Sequence, residues 1–359
     1  MAINFGIGKI EEENKYFEVN ITDDDKAYYP LFNFFLNPQS ILGDEYVDKI
    51  FKNVEYQANH RLIEKTTDFF DWNGWLFRGQ RNSAWKLETA FERLMFGKAF
   101  ERDYYELEMG MLRDFRRKAF NYTPNLEAID DISLYEWIAN FQHYGGKTRF
   151  LDATFSFFVA LFFAVSNIEF EKPEENKKKS FSIWCFNRMW IEKRYKDFLP
   201  DTIRNAYQED PYGKSPMTQK MVLDYVPDLK LREKEGKEGS GEYKNAFLSV
   251  INMTPFKMNQ RLINQRGSFL FPTNIYQSFE KNLFAMIDPE KNPNDIYRVI
   301  KLNVEYDNRS LSFILNLLDM MNTNYNVLYN SFEGLCQQIN FKTRLPNDAL
   351  TIPPGKGML

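Results

Sequence analysis

Three short stretches carry most of the residues that could do chemistry: LFRGQ at residues 76–80, QHYGGKTRFLDATFS at 142–156 and NQRGSF at 264–269. Arg78 follows apolar Leu76 and Phe77 and precedes Gly79, so its guanidinium sits at a strand end where it can fork onto a carboxylate or a phosphate. The competing reading makes Arg78 structural, paired with a core aspartate such as Asp152. Arg149 and Asp152 flank Phe150 and Leu151, which makes them half-buried groups in need of partners. A structural ion pair suits those two better than catalysis. Thr154 or Ser156 caps the helix that follows, whose residues Phe157 to Val165 are apolar on every side and therefore buried.

Other chemistries fit poorly. Gly145-Gly146-Lys147-Thr148 resembles the tail of a phosphate-binding loop, but the position needing the first glycine holds Phe141, and a helix rather than a strand lies in front. The only histidines are His60 and His143, neither with a partner at metal-ligand spacing. Cys185 lies in an apolar strand, where cysteine is usually core. No G-x-S-x-G elbow presents a serine to His143.

The elements that must position these residues follow from periodicity. Residues 1–35 read as strand and turn, with an acidic turn at Asp23, Asp24 and Asp25. The spacing over 38–71 predicts one or two helices. GWLFRGQ (74–80) reads as a strand. A long amphipathic helix over 98–120 carries Tyr104, Leu107, Met111 and Phe115, with Arg113, Arg116, Arg117 and Lys118 near its end, where the helix dipole favours cations. Residues 133–141 form another helix, capped by Ser133 with Glu136 at the capping-box position. FSIWCFN (181–187), QRGSFLFP (265–272) and IYRVIKLNV (296–304) read as strands, and 309–321 as a helix. Residues 188–245 are a polar surface insertion. Strands and helices mix without regular alternation, which predicts an α+β fold.

Composition narrows the class. The chain has 359 residues, enough for two domains or one large elaborated one, with 34 Phe and 20 Tyr to fill a core. The net charge of −4 argues against a surface that tracks nucleic acid throughout. Two distant cysteines make no disulfide framework and point to a reducing cytoplasm. The opening residues lack a basic region followed by an apolar one, and the apolar run 150–165 is too short to span a bilayer, so no membrane association is expected.

Taken together, FRGQ, QHYG…TRFLDATFS…ALFFA and NQRGSF resemble the signatures of the FRG domain family, named for its Phe-Arg-Gly. VIKLNV and YNSFEGL (329–335) resemble its C-terminal strand and closing motif. The resemblance covers roughly residues 40–340. It divides the chain into an N-terminal extension (1–37), the domain (38–345) with its insertion at 188–245, and a tail (346–359). Lys147, Ala153 and Phe157 depart from the family's usual residues, which bears on packing or a ligand wall more than on the polar set.

A weaker similarity is to ADP-ribosyltransferases of the Arg–Ser–Glu type, with their split mixed or antiparallel sheet. Phe77-Arg78-Gly79 is similar to their first strand, and Thr154-Phe155-Ser156 running into Val159-Ala160-Leu161-Phe162-Phe163-Ala164 to their second. The third falls on NQRGSFLFP, which offers Gln265 in place of glutamate. This similarity implies NAD as ligand or substrate, with no metal. Arg78, Gly79, Gln80, His143, Tyr144, Arg149 and Asp152 would bind it, and Thr154 and Ser156 would support the nicotinamide pocket. Gln265 can bond a ribose hydroxyl but cannot supply the negative charge that stabilises a cationic transition state. Either catalysis is weakened, or another acid such as Glu333 or Asp152 fills in, or the domain binds a nucleotide without turning it over.

Three functions follow as expectations. The first is an NAD-consuming or ADP-ribosylating effector, such as a bacterial toxin or phage-defence protein, with a protein or nucleic-acid acceptor. The second is a nucleotide sensor without turnover. The third is a nucleic-acid-binding or nuclease-like effector, suggested by the basic helix end beside Phe115, Phe120 and Tyr122.

Overall fold

The computed structural model describes residues 2–10, 13–22, 28–51, 56–58, 61–63, 72–96, 103–119, 121–122, 134–170, 179–198, 248–255 and 258–343. Ten strands lie in that part of the chain: β1 (Ala2–Ile10), β2 (Glu13–Thr22), β3 (Tyr56–Ala58), β4 (Arg61–Ile63), β5 (Trp75–Gln80), β6 (Leu151–Thr154), β7 (Lys179–Asn187), β8 (Val250–Met253), β9 (Gly267–Pro272) and β10 (Val299–Tyr306). Seven helices precede β8: α1 (Tyr28–Leu36), α2 (Pro38–Phe51), α3 (Ala90–Met95), α4 (Tyr104–Ala119), α5 (Leu134–His143), α6 (Phe157–Val165) and α7 (Arg188–Phe198). Five follow it: α8 (Gln260–Asn264), α9 (Phe279–Phe284), α10 (Asn308–Met320), α11 (Tyr325–Tyr329) and α12 (Phe332–Lys342).

Eight strands form one mixed sheet in the order β1-β2-β10-β7-β5-β6-β9-β8, so the α+β expectation holds. Every neighbouring pair is antiparallel except β2 with β10. The N-terminal segment thus supplies two strands of the main sheet. Where helix was expected throughout 38–71, α2 is followed by the β3–β4 hairpin, because three-residue strands are too short to show a period of their own. The acidic turn at 23–25, the Ser133 cap, His60, Phe120, the tail and most of the insertion lie outside the described residues.

The middle of the sheet is sealed on both faces. On β5, alternation sends Phe77 and Gly79 toward α6 and Arg78 and Gln80 to the opposite face. Phe77 meets the Phe157 ring edge-on at 5.7 Å. Gly79 lets the α6 backbone lie directly on the strand, since a Cβ there would overlap the Ala160 carbonyl oxygen. Seven of the nine α6 residues are buried, as its all-round apolar sequence predicts. On the other face Gln80 accepts a hydrogen bond from the Trp184 indole at 2.8 Å. Trp184 also packs against Tyr16, ring centroids 4.9 Å apart.

One buried carboxyl near this face makes the stability pH-dependent. Thr89 and Glu92 close a capping box at the start of α3, and the Glu92 carboxylate also accepts from the Phe279 amide at 3.1 Å. Burial pushes the Glu92 carboxyl up to about 7. Because the folded state holds this proton more tightly than the unfolded state, stability falls as pH rises from the ordinary carboxylate range through about 7 and is level above it. The loss amounts to roughly 2–3 kcal/mol for a shift of this size, partly screened by water. Glu280, also raised by burial, adds a smaller slope of the same sign. Glu92→Gln is expected to remove most of the slope in urea unfolding compared at pH 5 and pH 8. An unaltered slope in that variant would assign the effect elsewhere.

Candidate functional site

The sheet is weakest where β5 meets β6. Only Phe77 and Thr154 pair there. One residue pair beyond that contact the strands diverge, and the Asp152 carbonyl accepts instead from the Arg78 guanidinium, Nη1 to O 2.7 Å. The divergence opens a cleft of about 310 Å³. Arg78 and Gly79 line it from β5, Asp152 and Thr154 from β6, and Gly267 and Ser268 from β9. Gln142 and His143 enter from the end of α5, Arg261 and Gln265 from α8 and its exit, and Tyr329 from the end of α11.

The glycine turn after α5 orients one wall. Gly145 takes φ 90°, and the Gly146 amide closes the helix onto the Phe141 carbonyl at 2.8 Å. This leaves the Gln142 side chain between two neighbours. Its oxygen accepts from the Thr148 hydroxyl, and its amide donates to Asp152 Oδ1 at 2.7 Å. Asp152 is therefore aimed by Gln142, and its carboxylate is not consumed by Arg78.

Arg78 is left with an unusual balance. Its Nε is buried without a partner, and no described carboxylate forms an ion pair with it. Burial pulls the guanidinium below the ordinary arginine range, the Asp152 charge opposes this, and the Arg93 charge adds to it. A half-buried cation with an idle donor on the wall of an open cleft is suited to a charged, hydrogen-bonding guest.

The other expected site residues divide into two groups. His143 faces the cleft and is held below the usual histidine range by burial and then by the Arg261 charge, which favours the neutral imidazole. Thr154 and Gln265 line the cleft with their hydrogen bonds already engaged. The Thr154 hydroxyl donates to the Gln265 carbonyl at 2.7 Å, and the Gln265 amide donates to the Leu328 carbonyl at 3.3 Å. Ser156 is the α6 cap, accepting from the Val159 amide.

Five expected residues do not line the cleft, the Ser156 cap and four others. Arg149 is buried and bound through two guanidinium nitrogens to Glu108 of α4, the Nε bond being 2.7 Å, so its charge is spent inside the fold. Gln80 is buried, with its amide on the Lys86 carbonyl and its oxygen taken by Trp184. Tyr144 is exposed beside the His143 ring. Glu333 is exposed on α12, where it accepts from Gln337.

Two contributors were not among the expected site residues. Arg261 sits 4.4 Å above the Tyr329 ring, a cation–π contact made by packing α8 against α11. Arg261 belongs to no spaced motif, and Tyr329 opens YNSFEGL without any local sign of a partner 68 positions earlier, so only tertiary structure brings the two together at the cleft.

A second concavity, of about 490 Å³, lies along α4 and α5. Arg113, Arg116 and Arg117 line it over Met109, Leu112, Leu134 and Trp137. Arg116 covers the Trp137 ring at 5.2 Å, and the indole is only 1% exposed. That ring therefore offers no face on which a base could stack, whereas Tyr122, one of the aromatics expected to do so, is exposed. Among the described residues no helix is long and apolar enough to cross a membrane.

Comparison with known proteins identifies one stretch. Residues 73–173 match the family model of the FRG domain, covering β5, the α5 turn, β6 and α6. NQRGSF and YNSFEGL fall beyond the matched residues. No curated protein and no solved structure matches the chain.

Proposed function

We propose, from the premise that residues 73–173 of this chain form an FRG domain, that its cleft binds a phosphate-bearing nucleotide of the NAD class. The carrying observation is the Arg78 guanidinium, half-buried at the cleft wall with a buried, idle Nε and no carboxylate partner among the described residues. A phosphate oxygen supplies both the missing charge and the missing acceptor. Neutral His143 and the aromatic Tyr329 add a donor and an apolar wall of the kind a nucleoside needs.

Turnover of that ligand is supported by Asp152. It is the one carboxylate among the described residues lining the cleft, and Gln142 holds its Oδ1 while Oδ2 has no hydrogen-bond partner among the described residues. In glycosidic cleavage of NAD the C1′–N bond breaks and its electron pair neutralises the pyridinium nitrogen. The ribose carbon is left as an oxocarbenium ion, to be captured by water or by an acceptor group that then releases a proton. A carboxylate beside that cation lowers the barrier in a way the Gln265 amide cannot. Bonds already made by Thr154, Ser156 and Gln265 favour the alternative, a sensor that binds without reacting.

Incubation of the pure protein with NAD, followed by chromatography and mass measurement, separates the two. Catalysis predicts loss of NAD with release of nicotinamide. Asp152→Asn is then expected to lower the rate by about two orders of magnitude or more while changing affinity only a few-fold. Intact NAD and no mass shift on added protein or nucleic acid would leave the sensor.

A further inference from the structure

We propose that Arg261 is a second anion-binding residue of the cleft, and that Arg78 and Arg261 together select ligands with two linked phosphates over ligands with one. This rests on the nucleotide reading above and names the ligand class within it.

The cleft lining holds two guanidinium groups and one carboxylate. No described carboxylate pairs with Arg261. Its stem and charge are instead held against the Tyr329 ring, which orders a guanidinium without neutralising it. Asp152 acts on Arg78, and no described carboxylate compensates Arg261. The missing charge has to come from the ligand.

The two arginines mark separate positions. Arg78 projects from β5, and Arg261 from α8, which leads into β9 on the far side of the joint. The charges that act on Arg78 are those of Asp152 and Arg93. Arg261 acts on His143 and on Tyr329. One phosphate gripped by both would require them side by side. Two positions with different neighbours fit a pyrophosphate laid across the joint, with one phosphoryl group on each guanidinium. The site then recognises a nucleoside diphosphate or a dinucleotide, and a monophosphate satisfies only half of it.

Calorimetric titration with AMP and ADP tests this, with phosphate and pyrophosphate as base-free probes. The wild-type protein is expected to prefer ADP to AMP, and pyrophosphate to phosphate, by about tenfold or more, the size of one charge-assisted contact. Arg261→Met keeps the aliphatic stem over Tyr329. It is expected to collapse that preference to about twofold while leaving AMP affinity nearly unchanged. Tyr329→Leu, which frees the guanidinium, is expected to lose part of the preference and guards against a folding defect in the first variant. A preference that survives both substitutions overturns the role of Arg261 and leaves nucleotide binding standing. Failure of all four probes and of NAD to bind the wild-type protein overturns the nucleotide reading itself.

Discussion

Arg78→Met is expected to weaken nucleotide binding by roughly 10- to 100-fold, the loss of one charge-assisted contact in a desolvated cleft. The same change is expected to leave the fold intact and to raise the melting temperature of the ligand-free protein by about 1–3 °C. The two effects have one origin. In the ligand-free protein the side chain is half-buried, its Nε is buried and idle, and among the described residues its hydrogen bond is to the Asp152 carbonyl. A partly desolvated cation with an unmet donor, opposed only by the Asp152 charge, disfavours folding, and methionine fills similar volume without that charge. Thermal melts with and without ADP read both halves at once. A drop of several degrees in the ligand-free variant would return Arg78 to the core and remove it from the binding machinery.

Gly79→Ala is expected to prevent folding, with a destabilisation above about 4 kcal/mol. The added methyl group would overlap the Ala160 carbonyl and lie 2.7 Å from the Ala164 amide nitrogen, and neither atom is a flexible side-chain end. Relief requires α6 to lift from β5, which breaks the Phe77–Phe157 contact and exposes the most apolar helix of the chain. Soluble yield and far-ultraviolet circular dichroism report the outcome. A folded variant with normal melting would mean that β5 and α6 are not packed as described. Arg78 and Gly79 are adjacent, yet their substitutions are expected to move stability in opposite directions, because consecutive residues on a strand face opposite sides of the sheet.

Much of this was legible from the residues alone. The apolar run 157–165 announced a buried helix, Thr154 or Ser156 its cap, and GWLFRGQ a strand. Local chemistry encodes each of these within a few positions. Partnerships across the chain were not legible. Arg149 was expected to need a partner, but nothing near it points to Glu108, 41 residues earlier on another helix. Asp152 was the natural sequence neighbour for Arg78, yet Gln142 holds its carboxylate, because the glycine turn returns the end of α5 toward β6. Arg261 and Tyr329 show the same limit from the other side. An arginine and a tyrosine 68 positions apart become one unit only when α8 packs on α11.

The lone Phe77–Thr154 pair has a mechanical meaning. The protein carries two half-sheets sewn together by a single backbone stitch and the splint of α6. A guest that reaches from β5 to α8 would act as a rivet through that seam. Occupancy would then be felt as stiffness along the whole sheet, and an empty seam would be where the molecule yields first.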